Sequence, residues 1–144
     1  MRDVTRWLIT AMCVLATGDR TALKAQQADP VYDEDSKLVN FVDLAYPPAA
    51  RAGRVRGVVV VSVTLDDKGS VTTATPVSGS KFLIPACLDN ARKWQFVPNR
   101  QKRAVIVYEF QIHAGACHDR TSSVFLLTHH NFASIVSCEN VIEG

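Results

Sequence analysis

The stretch GVVVVSVTLDDKGSVTTATPV, residues 57–77, decides the fold. Its first nine residues, Gly57 to Leu65, are almost all β-branched, a composition that packs well on a pleated surface and reads as a strand. Strict alternation places Val59, Val61, Val63 and Leu65 on one face. Asp66-Asp67-Lys68-Gly69 is a turn signal, with Gly69 free to take a positive φ. Val71 to Val77 then returns antiparallel, and Ser78-Gly79-Ser80 ends the hairpin.

Upstream, Tyr46-Pro47-Pro48 opens a short helix that Ala49 to Ala52 continue and Gly53 ends. Proline is tolerated in a first turn because those N–H groups have no intrahelical partner. Downstream, a helix is predicted over about 81–95, starting near Leu83 because Pro85 fits only in a first turn. Leu83, Cys87, Ala91 and Trp94 are spaced 4, 4 and 3, one stripe along a helix. Ala104 to Ile112 reads as a third strand. Ser123–Leu127 and Phe132–Val136 read as two short strands turning at Thr128–Asn131. The expected fold class is α+β: β-β-α-β with an antiparallel sheet and one packing helix, plus a C-terminal β-hairpin extension.

The 144 residues fit one core. A 47% hydrophobic and 21% charged composition excludes a disordered chain, and a net charge of +2 excludes a strongly basic nucleic-acid binder. Residues 1–28 carry Arg2 and Arg6, then the apolar run WLITAMCVLA, then a polar exit. That order describes a secretory signal peptide cut near Ala25 or Ala28, with a short membrane anchor as the alternative. Removal of residues 1–25 would leave 12 basic and 12 acidic residues, a neutral surface. Residues 29–43 are polar and acidic at their start and read as a flexible leader, residues 44–112 as the domain, and 113–144 as the extension.

No catalytic constellation is evident: there is no Gly-x-Ser-x-Gly and no phosphate-loop glycine pattern. Asp33, Glu34 and Asp35 lie in the leader, where nothing would raise a carboxyl pKa for acid catalysis. His113, His118, His129 and His130 lack metal-ligand spacing, and adjacent strand residues point to opposite faces, so no metal or other cofactor is expected. Cys117 and Cys138 bracket the C-terminal hairpin, and Cys87 lies on the apolar helix stripe. A Cys117–Cys138 disulfide with Cys87 buried and free is the expected pattern. Three free thiols, or a pairing that uses Cys87, are the alternatives.

Tyr46-Pro47, Ala50-Arg51, Gly57-x-Val59-x-Val61, Asp67-x-Gly69-x-Val71, Val77-x-Gly79-Ser80, Leu83, Ala86, Leu88, Trp94-x-Phe96-x-Pro98 and the strand closing at Phe110 resemble, in that order, the C-terminal domain of TonB energy transducers. The resemblance covers about residues 44–112. It implies a periplasmic, non-enzymatic domain whose last strand pairs with an extended peptide of an outer-membrane receptor or another periplasmic protein. It also implies a role in energy transduction for transport, and a periplasmic or secreted location after signal cleavage. The chain departs from a full transducer: its apolar run is too short to span a membrane, and it has no long Pro-rich arm. A freestanding domain fits better, with a structural or interaction domain that has lost receptor coupling as the alternative.

In that layout Ala104–Ile112 is the exposed edge, so Val105, Val107, Tyr108, Glu109 and Phe110 are the candidate peptide-binding residues. The extension is expected to place Ser123–Leu127 against this edge and move the free edge to Phe132–Val136; a hairpin packed elsewhere would leave the edge open. Arg51 and Arg54, with Arg56, form a basic cluster that could contact peptidoglycan or an acidic peptide; Arg100, Lys102 and Arg103 form another. Both also read as solvated element ends. A homodimer is a further candidate partner; nucleic acid is not.

Overall fold

A computed structural model describes residues 36–114 and 123–138. The elements are β1 (Leu38–Asn40), α1 (Pro48–Ala52), β2 (Gly57–Leu65), β3 (Val71–Ser78), α2 (Ile84–Ala91), β4 (Gln95–Phe96), β5 (Arg103–His113), β6 (Val124–His129) and β7 (Phe132–Cys138). The result is an α+β fold. The expected signal peptide over residues 1–28 lies outside the described residues.

A five-stranded sheet runs in the order β3-β2-β5-β7-β6, and a two-stranded sheet joins β1 to β4. The β2–β3 hairpin turns on Asp66, whose Oδ1 accepts from the backbone N–H of Lys68 at 2.8 Å and of Ser70 at 2.9 Å. Gly69 takes φ 82° there. β2 pairs antiparallel with β5 from Gly57↔Phe110 to Thr64↔Arg103. This register puts Val59, Val61 and Val63 beside Tyr108, Ile106 and Ala104 on one face, and all six are buried.

α2 packs on that face. Leu83, Cys87, Ala91 and Trp94 are fully buried, as their spacing requires. Burying side chains of this size contributes roughly 1.5–3 kcal/mol for each large one. The helix ends at Ala91, short of Gln95, because Gln95 and Phe96 leave it to form β4. Phe96 N–H donates to Gly69 O at 2.8 Å and Val97 N–H to Lys37 O at 2.7 Å, so this segment ties the hairpin turn to the residues that lead into β1.

Two expectations are corrected here. Residues 29–43 are not loose throughout. Leu38 pairs with Phe96 and Asn40 with Gln95, and Ser36 is buried. The hairpin also docks the other way round. β7, not the strand beginning near Ser123, lies beside β5, and it runs parallel, from Val107↔Phe132 to His113↔Cys138. β6 is outermost, antiparallel to β7. Burial explains the choice: β7 places Ala133, Ile135 and Ser137 on the helix-facing side, all buried, whereas β6 would leave Phe125 and Leu127 there. A parallel neighbour needs a connection of a dozen or more residues, and the 18 residues between β5 and β7, which include β6, supply it.

Candidate interaction edge

β5 was the candidate docking strand, and its environment is now defined. Tyr108 and Phe110 point to the helix side and are buried; Val105, Val107 and Glu109 face away from it. β2 lies on one side of the strand and β7 on the other. The edge that carries the candidate residues Val105, Val107, Tyr108, Glu109 and Phe110 is covered by the extension, as expected, but by a different strand: from Val107 onward the place of an added peptide is taken by the chain's own β7 instead of Ser123–Leu127. The expected free edge at Phe132–Val136 is likewise replaced by Val124–His129.

The hairpin is clasped by the segment that precedes the domain. Tyr46 N–H donates to Ser123 Oγ at 3.0 Å. Phe41 stacks on Phe125, with ring centroids 5.7 Å apart and planes at 20°, and meets Trp94 at 6.0 Å. Tyr46 itself packs edge-on to Phe110 at 5.2 Å. Its hydroxyl donates to Val55 O, and burial raises its pKa while Arg56 opposes the rise.

Beneath the clasp sits one buried amide. Asn90 Oδ1 accepts from Trp94 Nε1 at 2.8 Å and from the Tyr108 hydroxyl at 2.9 Å. Its Nδ2 donates to Val42 O at 2.9 Å and Asp43 O at 3.2 Å. One side chain thus joins α2, β5 and the incoming chain. Reading the sequence passed over Asn90, which lies beside the apolar stripe; the available signal was an uncharged polar residue one place before Ala91 within a buried helix face. Tyr108 is held protonated by burial, with the nearby Cys87 adding to the shift.

The other candidates are dispersed. Arg51 is in the last turn of α1, and Arg54 follows it with φ 53°. Lys102 Nζ pairs with Asp67 Oδ1 at 2.7 Å, an exposed contact that lowers the Asp67 pKa and raises that of Lys102. Cys87 is a free, buried thiol whose pKa burial pushes up to about 12, so it is a weak nucleophile. Cys117 and His118 lie outside the described residues. His129 ends β6, and both His129 and His130 are exposed. Among the described residues no group of three or more His, Cys, Asp or Glu side chains is placed to hold a metal, and no helix is long and apolar enough to cross a membrane.

Two helices and a mixed five-stranded sheet define a small α+β domain. The family described as the C-terminal of the Gram-negative bacterial TonB protein matches residues 42–113, half of the chain, and the protein belongs to that family. Its domain is periplasmic and tied to transport. No curated protein matches the chain.

Proposed function

We propose that this protein is a peptide-binding module of TonB-dependent transport across the outer membrane, working by β-strand addition, with its docking strand covered by its own hairpin until a partner displaces it. The observation that carries the reading is the parallel pairing of β7 on β5. An extended receptor peptide, or a segment of another periplasmic protein, would use the same backbone groups of Val107 to Phe110 that β7 uses, and Val105 would border it. Export by a cleaved signal peptide over residues 1–28 belongs to the same reading. Arg51 and Arg54 would supply a secondary contact for an acidic segment or for peptidoglycan.

The test compares the intact chain with a chain ending after Ala114 and with Ala133→Pro; Val107 N–H bonds Asn131 O, so in this parallel register the Ala133 N–H is one that faces β5, and proline there interrupts the β5–β7 ladder rather than the β6–β7 bonds. In the intact protein the amides of Val107 and Glu109, which face β7, should exchange as slowly as those of Ile106 and Tyr108, which face β2, without alternation. Receptor-derived peptides should bind weakly to it and about tenfold or more tightly to the altered chains, the gain expected when a competing intramolecular strand is removed. Micromolar peptide binding by the intact chain, with alternating fast and slow exchange along β5, would show an edge open in solution. The same covered strand also favours the second reading, a structural domain that has lost receptor coupling. Absence of peptide binding by both altered chains would select it.

A Cys117–Cys138 disulfide is part of this proposal. Cys138 ends β7, the strand that covers β5, and Cys87 is buried in the core and free. The bond would close a loop of about 22 residues and add roughly 3 kcal/mol in the chain-entropy treatment, holding the hairpin over β5. Non-reducing peptide mapping should recover a Cys117–Cys138 pair; recovery of Cys87 in the main disulfide would refute it.

A further inference from the structure

The core lies on one side of the five-stranded sheet: Val59, Ile106 and Ile135 face α2, and Tyr46, Ala50 and Phe96 join them there. The pleat sends the alternate residues to the opposite face, where Val60, Val105, Val107, Phe132 and Val136 lie together across β2, β5 and β7. None of these belongs to the core cluster. Val58, Val124 and Leu126 extend the patch and are 46%, 51% and 50% exposed, so no element of the described residues covers them. The face is thus apolar from β2 to β6, and β3 borders it with Thr73 and Thr75. One charge stands within it. Glu109, on the central strand, is half-buried between Val58 of β2 and Ser134 of β7. Among the described residues no hydrogen bond or ion pair engages its carboxylate. A partly desolvated carboxylate without a partner carries a cost that an opposite charge on an incoming surface would offset.

We infer that this outer face docks an amphipathic α-helix of another protein, whose apolar side presents one lysine or arginine to Glu109. Backbone hydrogen bonding selects a helix. An extended segment needs a strand edge to satisfy its N–H and C=O groups, and those of β2, β5 and β7 already serve their own ladders. A helix satisfies its own. The patch from β2 to β6 crosses three strand spacings, roughly 14 Å, and a helix with its side chains is about 10–12 Å across. Charge decides against other occupants. A second copy laid face to face about a two-fold axis would bring its own Glu109 toward the first, since β5 is the middle strand. A membrane would have to take the carboxylate into its apolar region, which is expensive. Helix docking uses side chains of the face and leaves the strand edges alone, so it stands apart from strand addition at β5.

The test is a nuclear magnetic resonance titration of the intact, isotope-labelled chain with two designed helical peptides. Both carry a leucine face; one has lysine at the centre of that face and the other glutamate. The lysine peptide should shift the methyl signals of Val60, Val107 and Val136 and leave those of Val59 and Ile106 under α2 unmoved. It should bind about tenfold or more tightly than the glutamate peptide, because like charges brought together across an interface repel. Glu109→Gln should abolish that preference and Glu109→Lys should reverse it. Val58→Ser, at an exposed position, should weaken both peptides together. Unchanged circular dichroism and an unchanged melting temperature would show that these variants keep the fold. Failure of both peptides to bind the folded chain would overturn the inference. So would equal affinity for the two, or a preference that Glu109→Lys leaves unaltered. Shifts confined to the amides of β3 or β6 would mean strand addition at an edge and overturn it as well. A dimer formed through this face, or binding to phosphatidylcholine–phosphatidylglycerol vesicles that competes with the lysine peptide, would assign the face to those occupants and overturn it equally.

Discussion

Replacing Gly69 by alanine is expected to cost about 3 kcal/mol or more, lowering the melting temperature by upwards of about 12 °C for a domain of this size. The added Cβ would lie 1.8 Å from the carbonyl oxygen of Phe96 and 2.8 Å from its carbonyl carbon, at a φ of 82°. Neither partner can easily retreat. The turn is pinned by Asp66 Oδ1 on the N–H groups of Lys68 and Ser70. Phe96 is fully buried, its N–H bonds Gly69 O, and its strand is paired with Leu38. Gly57→Ala provides the contrast. Gly57 has φ 130°, yet nothing lies within 4 Å of the new Cβ, so it incurs backbone strain without a collision and should cost less. Thermal unfolding followed by circular dichroism measures both. A Gly69→Ala melting temperature within a few degrees of wild type would mean that the turn can shift away from Phe96.

Asn90→Ala should have an effect of similar size with a different signature. It removes the acceptor shared by Trp94 Nε1 and the Tyr108 hydroxyl, two buried donors, and the donor to Val42 O and Asp43 O. A buried group left unpaired costs about 1–3 kcal/mol, and since the four bonds act as one network the total should be near 3 kcal/mol rather than their sum. The local consequence distinguishes it from a simple cavity. Residues 38–43 lose an anchor, so their amide protection and their resistance to proteolysis should fall well before global unfolding. Loss of global stability with full protection of that segment retained would show that Asn90 matters only to Trp94 and Tyr108.

The clasp also bears on the proposed covering of β5. Phe41 reaches Phe125, and Tyr46 N–H reaches Ser123 Oγ, so the chain entering the domain and the hairpin leaving it touch on the helix side of the sheet. Loosening residues 38–46 would therefore weaken the hold on β6 and, through it, on β7. Stability and edge access are coupled through the same few contacts.

Local pattern was readable because it repeats within a few residues. Alternation in Gly57–Leu65 assigned the buried face, and Val59, Val61, Val63 and Leu65 are all buried. The 4-4-3 spacing of Leu83, Cys87, Ala91 and Trp94 assigned the helix stripe in the same way. Gly69 was legible as a positive-φ turn residue, although its contact with Phe96 was not, since the two are distant in sequence. The order of motifs from Tyr46 to Phe110 carried the family resemblance, and the family match over residues 42–113 bears it out.

Local pattern thus specifies the two helices, the strands β2, β3, β5, β6 and β7, the buried faces of β2 and α2, and the family. Each follows from side-chain periodicity and turn chemistry acting over one strand or one helix. Packing between distant segments settles which hairpin strand lies against β5, that it runs parallel, that residues 38–40 and 95–96 pair as strands, and that Asn90 joins three segments. Both hairpin strands are short and apolar, so alternation rates them equally as neighbours of β5. The choice falls to which one buries better beside Tyr108 and Phe110, and Ala133 and Ile135 of β7 become wholly enclosed there while Phe125 and Leu127 of β6 remain half-exposed at the rim. That comparison depends on the helix side of the assembled sheet, a surface that exists only after distant segments have met.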